Sequence, residues 1–97
     1  MKESAINRKI QRLLADKGAY VVKTIATNRA GVPDILACLD GKFIAIEGKT
    51  ATGVVSRLQE AHLRQIKAAG GVAVVAKSVD EVRDLLIKLQ KADLPSK

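Results

Sequence analysis

Apolar residues recur at Ile6, Ile10, Leu13 and Leu14, while Arg8, Lys9, Arg12 and Lys17 fall mostly on the opposite side, and this i, i+4, i+7, i+8 spacing predicts an amphipathic helix. Gly18 ends it by supplying the left-handed conformation usual just past a helix. Tyr20 to Thr24 has the β-branched and aromatic content of a short strand. Residues 25–33 (IATNRAGVP) carry Asn28, Gly31 and Pro33, the punctuation of a loop. Asp34 to Leu39 and Lys42 to Lys49 read as two strands joined by Asp40-Gly41, a pair suited to a two-residue type I′ turn. After TATGVV, Ser56-Arg57-Leu58-Gln59 has capping-box spacing and opens a helix from 57 to about 69, which Gly70-Gly71 stops. Its stripe is Leu58, Ile66 and Ala69, with His62 at the centre. Val72 to Ala76 is continuously apolar, as expected of a strand covered on both faces. Ser78 to Glu81 repeats the capping box, and Val79, Val82, Leu85, Leu86 and Leu89 form a last helical stripe. The order is αβββαβα. A strand, helix and strand across 42–76 imply a right-handed crossover and a parallel pair, so the class is α/β, with a mixed sheet flanked by helices.

The 97 residues, 47% of them apolar with two prolines and no repeat, are expected to make a single domain over 1–97, with 92–97 as a tail. No apolar run approaches the ~20 residues needed to span a bilayer, and the N-terminus does not read as a signal peptide, so no membrane role is expected and the cytoplasm is the expected location. Lone Cys38 excludes an internal disulfide, and with lone His62 it excludes cysteine-cluster and histidine-pair metal sites. Any metal must then sit on oxygen. The net charge of +7 favours a polyanionic partner, nucleic acid before membrane surface. That charge is uneven: residues 1–30 carry net +5 and residues 61–97 net +3, whereas 31–60 carry net −1. Tyr20 and Phe43 are the only aromatics, too few for a base-stacking platform, so duplex backbone and branch shape are the better targets.

The hairpin fixes a register. With Asp40 and Gly41 in the turn, Leu39 faces Lys42, Cys38 faces Phe43, and Asp34 faces Glu47. Facing β-carbons lie about 4.5–5.5 Å apart, and like charges at that distance repel unless a proton or cation sits between them. Alternation puts Glu47 and Lys49 on one face and Gly48 on the other, so Asp34, Glu47 and Lys49 form a cluster beside an apolar row of Leu36, Cys38, Phe43 and Ala45. That row would seat a helix, and Cys38, Phe43 and Tyr20 are expected in the core. Oxygen ligands on strands suit Mg²⁺ or Mn²⁺, which polarise a phosphate and lower the pKa of water, and a nearby lysine can stabilise developing negative charge. The competing reading is a turn aspartate and an exposed-edge ion pair worth ~0–1 kcal/mol. Agreement of the turn register, the Pro-Asp and the Glu-x-Lys favours the site.

Gly31-Val32-Pro33-Asp34 followed by Glu47-Gly48-Lys49 resembles the PD-(D/E)XK nuclease motif, and the text from AGVPD to DEVRDLL resembles the stand-alone VRR-NUC (virus-type replication-repair nuclease) domain. The likeness covers nearly the whole chain. It implies a metal-dependent phosphodiesterase in which Glu3, Asp34, Glu47 and the Gly48 backbone carbonyl hold Mg²⁺ or Mn²⁺, Lys49 assists attack, and Gln59 orients a water or a phosphate oxygen. Gly48 departs from the pattern, which has an apolar β-branched residue there. It points away from the site, so looser strand packing is expected. Small members resemble Holliday-junction resolvases, homodimers that make paired cuts in branched DNA.

Each assignment has a plainer counterpart. Glu3 shares the buried stripe with Ile6 and Ile10 and is either a ligand or a first-turn acid favoured by the helix dipole. Gln59 is either a site residue or half of the capping box. His62 reads as a packed, sheet-facing histidine rather than a base. Lys23, Asn28, Arg29, Ser56 and Arg57 are candidate phosphate contacts, lying around the loop before Asp34 or at a helix start, although surface cations are usually only solvated. The expected function is a Mg²⁺- or Mn²⁺-dependent endonuclease cutting four-way junctions as a homodimer. The alternatives are a nuclease on flaps, ends or nicked duplex, and a non-catalytic DNA-binding module of the same fold.

Overall fold

The computed structural model describes residues 1–92. Seven elements follow in the expected order: α1 (Glu3–Asp16), β1 (Tyr20–Lys23), β2 (Ile35–Leu39), β3 (Lys42–Gly48), α2 (Arg57–Ala68), β4 (Val72–Ala76) and α3 (Val79–Ala92). The expected tail at 92–97 lies outside the described residues except for Ala92, which closes α3. The sheet runs β1-β2-β3-β4, antiparallel through β3 and parallel between β3 and β4. Asp40 and Gly41 have φ of 52° and 79°, as a type I′ turn requires. The resulting register pairs Leu39 with Lys42, Cys38 with Phe43 and Ile35 with Ile46.

Alternation sorts the core into two layers. On one face Ile35, Ala37, Ile44 and Ile46 meet Ile6, Ile10, Leu13 and Leu14 of α1 and Val82 and Leu86 of α3. On the other, Ala45 and Ala73 meet Leu63 of α2, with Leu36, Val55, Ile66 and Val75 packed around them. The stripe of α2 is thus centred on His62 and Leu63, and Ala69 is exposed as its C-cap. As an edge strand, β4 is covered on both faces yet leaves Val72, Val74 and Val75 half-buried.

One expected part of the core is outside it. Cys38 and Phe43 do face each other, and Tyr20 pairs with Cys38, but Cys38 is exposed and Tyr20 and Phe43 are 74% and 46% exposed. The reason is the reach of α2: its 12 residues pack on β3 and β4 and leave the hairpin end of that face bare. The capping boxes also differ. At Ser56 both reciprocal bonds form, with the hydroxyl accepting from the Gln59 N–H and the Gln59 side chain accepting from the Ser56 N–H. At α3 the Ser78 hydroxyl accepts from the Glu81 N–H, but the Glu81 carboxylate reaches one residue further back, to the Lys77 N–H.

The 25–33 loop is laid against α2. Gly31 has φ of 90°, and a β-carbon there would stand 2.7 Å from Leu58 Cγ and 3.0 Å from the Leu58 backbone carbonyl carbon. Close approach and a left-handed backbone both require glycine. Gly31→Ala is expected to cost about 1–3 kcal/mol and to lower the melting temperature in a thermal unfolding scan by several degrees. An unchanged melting temperature would show that the loop does not need its place on the helix.

Candidate active site

The site forms where the open ends of β2 and β3 meet the start of α1. Asp34 and Glu47 stand one step beyond the last ladder pair, Ile35 and Ile46. The end of β1 anchors the chain as it enters β2: the Thr24 N–H donates to the Asp34 carbonyl at 2.8 Å, and the Thr24 hydroxyl donates to the Pro33 and Asp34 carbonyls at 2.9 and 3.2 Å. Glu3, in the first turn of α1, brings a third carboxylate. Oxygens of Glu3, Asp34 and Glu47 all lie within 4.8 Å of one another. The three assigned side-chain ligands are therefore together, and Glu3 is at once a first-turn acid and a member of the group.

Glu47 is the buried member, 1% exposed. Burial pushes its carboxyl up from the ordinary 4.5 to about 7; the charge of Asp34 and a hydrogen bond shared with it push the same way, as does Glu3 to a smaller extent, against the pull of Lys49. Its Oε2 is held twice. Lys49 Nζ lies 3.7 Å away and Gln59 Nε2 donates at 3.2 Å. Its Oε1 is buried with no hydrogen-bond partner among the described residues. A buried, unpartnered carboxylate oxygen beside two further carboxylates is the donor set of a hard divalent cation, so these residues fit one.

Gln59 completes the cap and also reaches Glu47. Its side-chain oxygen accepts from the Ser56 N–H at 2.9 Å while its nitrogen donates to Glu47, so the helix cap and the orientation of Glu47 are one device. The other candidates are more scattered. Asn28, Arg29 and Arg57 are exposed, with Arg29 donating to Gln65 Oε1 at 3.0 Å. Lys23 is half-buried and donates to the Thr24 carbonyl at 3.1 Å, and the Ser56 hydroxyl is taken up by its cap. His62 is buried at 6% exposure, its ring beside the position a β-carbon on Gly31 would take.

Two features were not drawn from the sequence. Thr24 gave no signal, since its role is a contact with a residue ten positions on. Asn7 did give one: a polar residue on the apolar stripe of α1, four after Glu3 and three before Ile10. It is 4% exposed and its Nδ2 donates to Asp34 Oδ2 at 3.2 Å. Its Oδ1 is buried without a partner among the described residues, an arrangement that costs about 1–3 kcal/mol. That oxygen also corrects the expectation for Gly48. A β-carbon on Gly48 would lie 2.0 Å from it, so the glycine marks filled space, not loose packing.

Known structures share this fold. Two solved VRR_NUC domain proteins match with TM-scores of 0.76 and 0.73, at 22% and 20% identity, covering 87% and 89% of this chain and 92% and 85% of theirs. The Holliday junction resolvase Hjc of Archaeoglobus fulgidus matches with a TM-score of 0.59 at 22% identity, over 75% of this chain and 65% of its own. At these identities the likeness is one of fold. No curated protein sequence matches the chain. The family model for the archaeal Holliday junction resolvase, Hjc, matches residues 1–94, and the chain belongs to that family.

Proposed function

We propose that this protein is a metal-dependent, structure-selective DNA endonuclease that resolves four-way junctions as a homodimer. The observation that carries the reading is the group of Glu3, Asp34 and Glu47 carboxylates within 4.8 Å, beside Lys49. Three acids repel phosphate unless a cation lies among them, and this group belongs to a chain of net charge +7 in a resolvase family. Mg²⁺ or Mn²⁺ held by Glu3, Asp34, Glu47 and the Gly48 carbonyl would supply the charge that polarises a phosphate and lowers the pKa of water.

The chain's own residues do the rest. Gln59 fixes the rotamer of Glu47, and Lys49 steadies the negative charge that grows on the phosphoryl oxygens as water attacks phosphorus and the bond to the 3′-oxygen breaks. A proton passes to the leaving oxygen, giving 5′-phosphate and 3′-hydroxyl ends. Asn28, Arg29 and Arg57 are exposed and are the proposed contacts to backbone phosphates, with Lys23 and the Ser56 helix start. A four-way junction has near-twofold symmetry, which a twofold dimer matches by placing one site on each of two equivalent strands. Among the described residues no helix is long and apolar enough to cross a membrane.

Cleavage of a labelled four-way junction, beside linear duplex, single strand and flap of the same sequence, tests the reading. With Mg²⁺ or Mn²⁺ the expected result is paired symmetric cuts in the junction, absent in EDTA and slowed at least ~100-fold in Lys49→Ala. Cutting of flaps or ends in preference to junctions would replace the substrate, and tight binding without cleavage would replace the enzyme by a binding module.

The carboxyl of Glu47 predicts a pH effect with a definite sign. A group whose folded pKa is raised binds more protons folded than unfolded, so its stabilisation is complete below about 4.5 and is lost as pH rises through about 7. The metal-free melting temperature is expected to fall by several degrees between pH 5 and pH 8. Glu47→Gln should flatten that fall, and Mn²⁺ should reverse it in the wild type only. Parallel slopes for both proteins would remove Glu47 as the titrating group.

A further inference from the structure

We infer that Asn7 is a positioning residue for Asp34, and that Gly48 is the space that admits it; the inference rests on the acidic group being a metal centre. Gly48 is the last residue of β3 and is buried, and its backbone is not in the left-handed region, so conformation alone does not call for glycine. What calls for it is volume. A β-carbon at 48 would meet Asn7 Oδ1 at 2.0 Å, Cγ at 3.0 Å and Nδ2 at 3.5 Å. The amide has little freedom to retreat, because Asn7 is 4% exposed and its nitrogen is tied to Asp34.

The orientation of the amide is dictated by its partner. Asn7 turns its NH₂ group to Asp34 Oδ2, and this leaves its oxygen over Gly48. The alternative flip would set oxygen against oxygen. Held through Oδ2 by Asn7, Asp34 stays turned toward Glu47 and Glu3, where a cation would sit. Without that hold, the charges of Glu3 and Glu47 favour a rotamer that turns Asp34 away. Glu3 and Asn7, one helical turn apart, thus let α1 deliver a carboxylate and the donor that arranges a second one. A side chain at 48 would cut that connection between the two faces of the sheet.

The test uses the protein alone, with Mn²⁺ as the probe in a calorimetric titration and with thermal melts, for wild type, Asn7→Ala, Gly48→Ala and the double variant. Asn7→Ala and Gly48→Ala are each expected to weaken Mn²⁺ binding about tenfold or more, the range for residues that orient ligands. Gly48→Ala should lower the melting temperature in the wild-type background, and should lower neither it nor the affinity further once residue 7 is alanine. Wild-type affinity in Asn7→Ala would overturn the positioning role, and an equal melting cost of Gly48→Ala in both backgrounds would overturn the fit. A wild type that binds no Mn²⁺ would overturn the metal centre itself. Mn²⁺ binding that depends on Asn7, in a protein that cuts no DNA, would sink the nuclease reading and leave this one standing.

Discussion

Holding two carboxylates side by side on neighbouring strands, with a third at the start of a helix, sets up a repulsion that the groups around them answer. Glu47 retains its proton to about pH 7, Lys49 and Gln59 occupy one of its oxygens, and Asn7 donates to Asp34. Each answer is partial. One oxygen of Glu47 and one of Asn7 remain buried without a partner among the described residues, and a protein keeps such atoms at a cost in stability. In the proposed metal centre these carboxylates would stand together before any cation arrived, so the ligands would not have to be gathered as it bound.

The fold supplies the constraint by ordinary means. A tight turn sets the register, alternation sets the faces, and the two helical layers bury what faces them. The active end differs because both layers reach it: Glu47 looks toward the α2 side, where Gln59 meets it, while Glu3 and Asn7 come from α1 on the other. At Gly48 the absence of a side chain lets Asn7 lie against the strand. The capping box of α2 works in both roles, so the stability of a helix start and the placing of a carboxylate depend on the same amide.

What the sequence disclosed follows from how local each cause was. Asp40-Gly41 determines pairing over a few residues, so the opposition of Asp34 and Glu47 was legible in the sequence, as was the cap at Gln59; that the same amide also reaches Glu47 was not. Contacts between distant elements left fainter marks. Whether Cys38 and Phe43 are covered depends on where α2 ends, and the alternation that paired them carries no information about that length. Gly48 looked like a missing side chain because its neighbour, Asn7, belongs to a helix 41 residues earlier in the chain. The Glu81 carboxylate passed over the expected N–H for the one before it, a choice between adjacent backbone groups that spacing alone does not separate.

The sheet is laid down in chain order, and this has a bearing on how the molecule assembles. Short loops close at little entropic cost, so the β2–β3 hairpin, the most local pairing in the sheet, would bring Asp34 and Glu47 together ahead of long-range packing. Their compensating partners arrive from elsewhere: Asn7 with the docking of α1, Gln59 with the crossover through α2. A hairpin formed ahead of the helices would carry a local conflict that only the finished structure relieves. A cation that needs all three carboxylates has little to grip until α1 is home, and its binding would slow unfolding more than it hastens folding.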